Sequence, residues 1–451
     1  MIPVLTPKEM AAVDAAAPEP APVLIERAGG AVAHHAIDLL SGGYGRRVVV
    51  LAGKGNNGAD GRSAAIRLRR RGARVLVVEA LGAPDRLPAS DLVIDAAYGT
   101  GFRGEHLAPH AAGAPVLAVD IPSGIDGLTG EERGRALVAI RTVTFAALKP
   151  GLVLEPGRSR AGQVVVADIG LAVGEPAVGV VARDDVAAWL PRRPVDAHKW
   201  QAAVLVLAGS RGMTGAAHLA AAGAQRAGAG MVRLASPGVV DDATRPVEAV
   251  GVALPETGWA AAALDACSRF GALVIGPGLG LAEPTAAEVR EVLAKATVTV
   301  VVDGDALTAL GTDAPAQLRA RVAPTILTPH AGELERLTGS PLGPDRLAVA
   351  RDLAARTGAV VLLKGPITVI ADPAGRVRIV TLGDARLATA GTGDVLSGVI
   401  GALVARGAAP LEAAAAGAWL HARAGALAPA LGLVASDLLD HLPGALAEVV
   451  D

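Results

Sequence analysis

Short, continuously apolar runs alternate with helical stretches along this chain. RVLVVEA and PVLAVDI are two such runs, rich in valine and leucine and without the regular polar residues of a half-exposed strand. Runs of this kind are typical of parallel strands that helices cover on both faces. The repeated order of strand and helix therefore predicts an α/β fold built on doubly wound sheets.

The pattern occurs twice. The first series of runs lies at 47–52, 73–79, 91–96, 115–121, 142–147 and 163–168, and the second at 203–208, 231–235, 272–276, 297–303, 324–328, 360–364 and 377–381. Length alone allows either three domains of ~150 residues or two larger ones. A segment near 175–195 that mixes proline, glycine and charge separates the two series. We therefore expect two domains, 1–180 and 185–451, joined by fusion and not by duplication, because the halves share no motif.

Composition narrows the class of partner. The net charge of −2 lacks the basic excess on which non-specific nucleic-acid binding depends. No apolar run approaches the ~20 residues that span a bilayer, and the first residues lack a signal-peptide pattern. The single Cys267 fits a reducing compartment. We expect a cytoplasmic protein with small-molecule partners and with neither nucleic acid nor membrane; a homo-oligomer stays open.

The densest motif of the first half is a glycine-rich turn between a strand and an amphipathic helix, VVVLAGKGNNGADGRSAAIRLRRRG. Its glycines permit a sharp turn and close approach of a ligand, and the helix N-terminus offers N–H groups to a phosphate. An ordinary strand-to-helix turn is the alternative. Asn56, Asn57 and Asp60 favour a ligand site, because polar side chains at these positions suit a polyol or a cation.

Two further strand ends carry polar residues. LVIDAAYGTGFRGE places Asp95 and a Gly-Thr-Gly loop after one strand, and VLAVDIPSGID places Asp120 and Ser123 after another. The carboxyl ends of parallel strands meet in one crevice of an open sheet. The three segments are therefore predicted to form one site.

GNNGADG, DAAYGTGFRGE, VDIPSGIDG and TFAALKPGL together resemble the NAD(P)H-hydrate epimerases, over roughly residues 1–175. The family motif usually reads GNNGGDG, and Ala59 replaces one glycine here, a change that matters only if that position needs a positive φ. The resemblance implies a Rossmann-like epimerase domain that interconverts the R and S forms at C6 of the hydrated nicotinamide ring.

The same resemblance implies specific site residues. The implied ligands of the hydrated dinucleotide are Asn56, Asn57, Gly58, Ala59, Asp60, Gly99, Thr100, Gly101, Phe102, Arg103, Gly104, Glu105 and Asp120. Asn57, Asp95 and Ser123 would hold a potassium ion, and their oxygen atoms suit a hard cation. Asp120 is the candidate for proton transfer and Lys149 is a second one. A surface lysine before a proline is the alternative for Lys149.

The strongest motif of the second half is RLATAGTGDVLSGVIGALVARG. The N–H groups of Gly391, Thr392 and Gly393 precede an apolar helix and can stabilise negative charge on a transferring phosphoryl group. Asp394 lies in the first helical turn. It is either a favourable helix-start charge or the base that takes a proton from a substrate hydroxyl, and the rest of the motif favours the base.

Other strand ends of the second half add candidates. His330 in TPHAGELERL stands at a strand-to-helix turn; a lone histidine is more often structural, but its small and acidic neighbours make it a ligand candidate. Lys364 in VLLKGPITVI either ends a strand or meets nucleotide phosphate.

These motifs resemble the ribokinase-like superfamily, and within it the ADP-dependent NAD(P)H-hydrate dehydratases, over roughly residues 185–451. The resemblance implies that Ala216, Gly278 and His330 contact the hydrated dinucleotide and that Asp394 contacts its ring. The implied nucleotide ligands are Lys364, Gly365, Pro366, Ile367, Thr368, Gly391, Thr392 and Gly393. The family's HKGxxG reads HKWQAA here, so this first loop departs from the pattern.

The two resemblances together predict repair of hydrated NADH or NADPH: epimerisation, then ADP-dependent dehydration with release of AMP and phosphate. Magnesium is expected with ADP, because clustered phosphate charge must be neutralised. Two other functions fit parts of the sequence. A small-molecule kinase fits the second half, and a first domain that binds without catalysis fits the fold, although the retained Asp60, Asp95 and Asp120 argue against it.

Overall fold

The computed structural model describes residues 1–240 and 242–450, which form two compact units, Ile2–Val178 and the residues from Gly179 onward. Both units are mixed α/β structures with largely parallel sheets, which confirms the fold class. Within the described residues, no helix combines the length and the apolar character needed to cross a membrane.

The N-terminal unit contains one main sheet. Its helices are α1 (Pro7–Ala15), α2 (Ala21–Leu39), α3 (Asn56–Arg70), α4 (Pro150–Val153) and α5 (Gly157–Ala161). Its strands are β1 (Ile2–Pro3), β2 (Arg47–Ala52), β3 (Arg74–Glu79), β4 (Leu92–Ala96), β5 (His106–Leu107), β6 (Val116–Val119), β7 (Gly134–Arg135), β8 (Arg141–Phe145) and β9 (Gln163–Ala167). The main sheet has the order β3-β2-β4-β6-β8-β9, and all its neighbours are parallel.

Strand β2 shows why these runs are continuously apolar. Val48 and Val50 belong to the core on one face of the sheet, whereas Val49 and Leu51 belong to the core on the other. Successive side chains of a strand point to opposite faces, so a strand covered on both faces needs no polar residue. Strand β2 lies between β3 and β4, so the strands that follow it in sequence lie on opposite sides of it. A crevice opens at such a switch point, at the carboxyl ends of β2 and β4.

The second unit is larger. Its strands are β10 (Val178–Val180), β11 (Ala203–Leu207), β12 (Met231–Pro237), β13 (Val250–Leu254), β14 (Ala272–Ile275), β15 (Thr299–Val302), β16 (Thr325–Leu327), β17 (Val360–Leu363), β18 (Thr368–Ala371) and β19 (Val377–Val380). Its helices are α6 (Arg183–Trp189), α7 (Thr214–Arg226), α8 (Ala260–Cys267), α9 (Glu283–Lys295), α10 (Asp305–Leu310), α11 (Ala314–Arg319), α12 (Ala331–Thr338), α13 (Arg346–Thr357), α14 (Thr392–Ala405), α15 (Pro410–Leu427) and α16 (Ala435–Val450).

The sheet of this unit runs β10-β19-β18-β17-β16-β15-β14-β11-β12-β13. The pairs from β17 to β13 are parallel, whereas β17-β18 and β18-β19 are antiparallel. Strands β10, β13 and β18 match none of the runs predicted from the sequence. Strand β13 is an edge strand with mostly exposed residues, and β18 follows β17 so closely that the segment resembles one strand and its end.

Glycines bring helices α7 and α14 close together. A Cβ atom on Gly398 would lie 1.9 Å from the Ala220 oxygen, and one on Gly223 would lie 2.5 Å from the Val395 oxygen. Only glycine permits such an approach of two backbones. This packing fixes the axis of α14, and with it the position of the GTGD turn at its N-terminus.

Candidate functional sites

The glycine-rich turn of the N-terminal unit needs glycine for steric reasons. A Cβ atom on Gly53 would lie 1.8 Å from the Ala97 oxygen, and one on Gly58 would lie 1.9 Å from the Gly53 oxygen. Ala59 is inside α3 and is not among the residues with positive φ. The replacement of the family's glycine at Ala59 therefore carries no backbone strain.

Asp120 is the most constrained carboxylate of this site. Its backbone has a φ of 66°, and its Oδ2 accepts a hydrogen bond of 2.8 Å from the Thr100 N–H. Its Oδ1 lies 2.8 Å from the Lys149 ammonium and accepts a 3.1 Å hydrogen bond from Thr144. Burial works to raise the pKa of Asp120, but Lys149 and the hydrogen bonds outweigh it and lower the pKa. Asp120 is therefore an anion at neutral pH.

Lys149 is buried, with 1% of its surface exposed, so the alternative of a surface lysine is wrong. Its Nζ also donates to the Thr144 hydroxyl (2.7 Å) and to the Phe145 carbonyl (3.0 Å). Lys149 directly precedes α4, in the segment that follows β8, and from there its ammonium group reaches Asp120. A sequence pattern cannot show this pairing, because the partners lie on different strand ends.

Asp60 differs from Asp120 although both line the same cavity. Asp60 is 7% exposed, and no hydrogen bond among residues 1–240 and 242–450 involves its carboxyl group. Burial, together with the neighbouring carboxylates of Asp120 and Asp14, raises the pKa of Asp60 to about 8. Asp14, on α1, was missed in the sequence because no motif marks it.

Two of the three candidate cation ligands lie in direct contact. Asp95 is fully buried and accepts hydrogen bonds from the Ser123 hydroxyl (2.6 Å) and the Ser123 N–H (2.9 Å). The third candidate, Asn57, has a buried amide whose oxygen and nitrogen have no partner within the described residues. An orphaned buried amide oxygen fits an additional ligand there. No group of three His, Cys, Asp or Glu side chains is placed to hold a metal in the described part of the chain.

A cavity of about 1000 Å³ opens beside these residues; Asn57 lines it, whereas Asp95 and Ser123 are not among its lining residues. Of the residues implied by the first resemblance, its walls include Asn56, Asn57, Asp60, Gly99, Thr100, Gly101, Phe102, Asp120 and Lys149. Gly58 and Ala59 are in the first turn of α3 and are not among the residues that line the cavity. Arg103, Gly104 and Glu105 instead line a neighbouring depression, next to Asp126 and Arg133. The cavity therefore gathers most, but not all, of the implied residues.

In the second unit, Lys364 stands at the centre of a buried ionic cluster. Its Nζ lies 2.8 Å from Asp303 and 3.5 Å from Glu333, and Asp303 also accepts a 2.8 Å hydrogen bond from Thr328. Burial works to lower the pKa of Lys364, but the two carboxylates raise it. Lys364 is therefore a fixed cation and does more than end strand β17.

The GTGD turn adjoins this cluster. Gly391 caps α14 with a φ of 90°, and a Cβ atom on Gly393 would lie 3.4 Å from the Lys364 Nζ. Asp394 follows in the first turn of the helix. Burial and the neighbouring Asp303 carboxylate raise the pKa of Asp394 to about 7, against the opposing effect of Lys364. A carboxyl group with this pKa can both take and release a proton near neutral pH.

His330 caps helix α12. Its Nδ1 accepts hydrogen bonds from the N–H groups of Gly332 (3.0 Å) and Glu333 (3.3 Å), while its side chain stays 54% exposed. The histidine therefore has a structural role, and its Nε2 lies 3.5 Å from the Glu333 carboxylate. Gly278 follows strand β14 and has a φ of 64°. A Cβ atom on Gly278 would lie 3.1 Å from the Cβ atom of Ala216 on α7.

The segment from Lys364 to Thr368 joins β17 to β18. Ile367 is 2% exposed, so its side chain belongs to the core. Arg346 supports the segment from α13 and donates to the carbonyls of Lys364 (3.2 Å) and Ile367 (3.3 Å). No sequence motif marked Arg346 as a site residue. The same is true of His421, which is buried and whose Nε2 lies 2.8 Å from the Thr392 oxygen in the GTGD turn.

Comparison with known families covers both units. A family described as NAD(P)H-hydrate dehydratase matches residues 204–445, and a family described as YjeF-related protein N-terminus matches 21–89 and 79–151. Among solved structures, the ADP/ATP-dependent NAD(P)H-hydrate dehydratase of Bacillus subtilis, co-crystallised with ATP and Mg²⁺, is 34% identical with a TM-score of 0.53. That match covers 59% of this chain and 97% of the bacterial one.

Curated relatives span the full arrangement. The bifunctional NAD(P)H-hydrate repair enzyme Nnr of Moorella thermoacetica is 39% identical over 88% of this chain and 87% of its own length. The protein of the same name from Salinibacter ruber is 36% identical over 99% of this chain and 96% of its own length. The chain belongs to the family of bifunctional NAD(P)H-hydrate repair enzymes.

Proposed function

We propose that this chain repairs hydrated NADH and NADPH in two reactions, one in each unit. The N-terminal unit interconverts the R and S hydrates at C6, and the second unit dehydrates the S form at the expense of ADP. The observation that carries the proposal is the placement of Asp394 in the first turn of α14, next to Gly393, whose backbone adjoins the ion pair of Lys364 and Asp303. The shared family supports it.

In the second unit, Asp394 takes the proton of the C6 hydroxyl group. The hydroxyl oxygen attacks the terminal phosphorus of ADP, the bond from that phosphorus to the bridging oxygen breaks, and AMP leaves. The N–H groups of the Gly391–Gly393 turn and the Lys364 ammonium stabilise the developing negative charge. The C6–O bond then breaks with phosphate as leaving group, C5 loses a proton, and the dihydronicotinamide ring is restored.

Magnesium would enter with the phosphates of ADP and neutralise part of their charge. The site fits such an ion chemically, because the Lys364 ammonium is already paired with the Asp303 and Glu333 carboxylates and the negative charge of a diphosphate would still have to be balanced. Mg²⁺ commonly keeps several waters and needs few protein ligands when phosphates are bound.

In the N-terminal unit, Asp120 accepts the proton of the C6 hydroxyl group while the bond from C6 to the ring nitrogen N1 breaks, which leaves an aldehyde at C6 and the electron pair on N1. Attack of N1 on the other face of the aldehyde re-forms the ring, and the return of the proton to the oxygen gives the other epimer. Lys149, Thr144 and the Thr100 N–H hold the Asp120 carboxylate in one orientation. Asp60 faces the same cavity with an uncommitted carboxyl group, which is available to the substrate. A potassium ion would be held by Asn57, Asp95 and Ser123, and it would supply positive charge beside the reacting ring.

One assay tests the proposal. The full chain is incubated with a mixture of R and S hydrates of NADH, ADP and Mg²⁺, and the recovery of nicotinamide absorbance is followed. We expect complete recovery, and recovery of only the S fraction on the short time scale for an Asp120→Asn variant. Absence of any recovery, with phosphorylation of another small alcohol, would favour a kinase. Rapid recovery of only the S fraction by both proteins would reduce the first unit to a binding module, and complete recovery by both would show that Asp120 is not the base.

A further inference from the structure

The cavity of the N-terminal unit continues beyond the reacting groups to the carboxyl end of β3. Asp120 and Lys149 line one part of it, and Glu79, Ala80 and Leu81 line another. Strand β3 is the direct neighbour of β2, and Glu79 is paired in register with Ala52, the last residue before the glycine-rich turn. The glycine-rich turn therefore lies between the reacting groups and Glu79.

Arg62 fixes the carboxylate of Glu79. The Nη2 of Arg62 donates to both carboxylate oxygens, at 2.7 and 2.6 Å, and its Nη1 donates to the Gly53 carbonyl at 2.7 Å. A guanidinium group bound in this way sets the plane of a carboxylate. The Glu79 side chain is still 59% exposed, so each oxygen keeps room for a further donor.

A dinucleotide has a nicotinamide half and an adenosine half, and the two parts of this cavity can bind one half each. With the hydrated ring near Asp120, the pyrophosphate reaches the glycine-rich turn at the N-terminus of α3. The adenosine ribose then lies at the carboxyl end of β3. An acidic residue at the end of the strand next to such a turn accepts hydrogen bonds from ribose hydroxyls, and a phosphate group on the 2′ oxygen would meet its negative charge.

We propose that Glu79 binds the ribose hydroxyls of the adenosine half and makes the epimerase site select the hydrate of NADH over that of NADPH. Arg62 balances the net charge of Glu79, so the selection comes from the carboxylate oxygens as acceptors: a ribose hydroxyl can donate a hydrogen bond to them, whereas a 2′ phosphate would turn only acceptor oxygens toward them. Lys54 follows directly on Gly53 and serves the pyrophosphate. The exposed side chain of Leu81 offers an apolar surface to the adenine ring. The inference rests on the proposed function and narrows its substrate.

The test compares epimerisation of the two R hydrates by the full chain without ADP, so that the dehydratase reaction is idle. We expect the wild type to have a kcat/KM for NADH hydrate that is larger by about tenfold or more, because a site that accepts a hydrogen bond from a substrate hydroxyl discriminates against an analogue that lacks this donor. In Glu79→Gln this preference should fall to about threefold or less, mainly through a lower KM for NADPH hydrate. Glu26→Gln is the matched control, since Glu26 on α2 pairs with Arg67, which is on the same helix as Arg62, and Glu26 does not line the cavity.

An unchanged preference in Glu79→Gln, or a wild type that prefers NADPH hydrate, would overturn the inference. Equilibrium binding of both hydrates to wild type and Glu79→Gln distinguishes failure of the inference from failure of the proposed function. The second unit contributes equally in both proteins, so the difference in binding reports the N-terminal site. Selective binding that depends on Glu79 without any epimerisation would support the inference and contradict the proposed reaction.

Discussion

At the scale of single residues, two aspartates in this protein have opposite pKa shifts for identifiable reasons. Asp120 has an ammonium group and two further hydrogen-bond donors around it, which lower its pKa despite burial. Asp394 has a buried carboxylate nearby and only partial compensation from Lys364, so its pKa is raised to about 7. Their surroundings therefore determine how each can act as a base.

Replacing Asp394 by asparagine should remove the base and keep the shape of the site. A positioned base contributes ~10²–10⁴-fold to proton transfer, so ADP-dependent recovery of NADH should fall by about a hundredfold or more. ADP binding should persist through the GTGD turn and Lys364, and epimerisation should be unchanged. Near-normal turnover, measured by nicotinamide absorbance, would show that Asp394 is only a helix-start charge.

The dehydratase reaction should also depend on pH. A carboxyl group with a pKa of about 7 is protonated below that pH and cannot accept a proton. The rate should therefore rise about tenfold per pH unit below pH 7 and level off above it. Single-turnover rates with saturating ADP measure this profile. A flat profile from pH 5 to pH 8 would assign the base to a group with an ordinary carboxyl pKa.

Replacing Asp95 by alanine should weaken the first site through loss of cation binding, because the charged oxygen ligand is removed. We expect reduced epimerisation and little response when potassium replaces sodium. Ser123 loses its hydrogen-bond acceptor in this variant, so thermal unfolding is measured alongside. A folded Asp95→Ala variant with wild-type activity and potassium dependence would contradict the metal assignment.

At the scale of elements, the turn from β2 to α3 depends on two backbones in contact. Gly58→Ala places a methyl group 1.9 Å from the Gly53 oxygen, whereas a Cβ at Gly55 has nothing within 4 Å. Overpacking of this kind costs about 1–3 kcal/mol, so Gly58→Ala should destabilise the N-terminal unit and reduce epimerisation. Gly55→Ala is the control for stability and should leave thermal unfolding unchanged. Equal thermal unfolding of both variants would show that the turn can relax.

At the scale of the whole molecule, the division of the chain lies earlier than its proline-rich stretch at 191–194. Val186 and Leu190, on and just after α6, belong to the core of the second unit. A chain cut between Gly174 and Glu175 should therefore give two folded pieces, each with one activity. A cut at 191–194 removes α6 from its core and should destabilise the second piece. Circular dichroism and the two assays compare the cuts, and equal stability of both second pieces would contradict this boundary.

The sequence by itself determined the elements and turns whose causes are local. Continuous apolar runs predicted the buried parallel strands, and glycines before helices predicted both ligand-facing turns, because backbone conformation and strand burial depend on neighbouring residues. The exposed edge strand β13 and the short hairpin at β18 were not predicted, because their hydrophobic patterns extend over only a few residues and are weak.

Only the tertiary structure decided which side chains meet. Lys149 reaches Asp120 from the next strand end, Lys364 reaches Asp303 across 61 residues of chain, and Arg62 fixes Glu79 from a neighbouring helix. Burial and nearby charges set the pKa values of these groups, and both arise from the packing of distant segments. A linear pattern shows which chemical groups the chain contains, but the pKa of each depends on the groups that the fold places within a few ångströms.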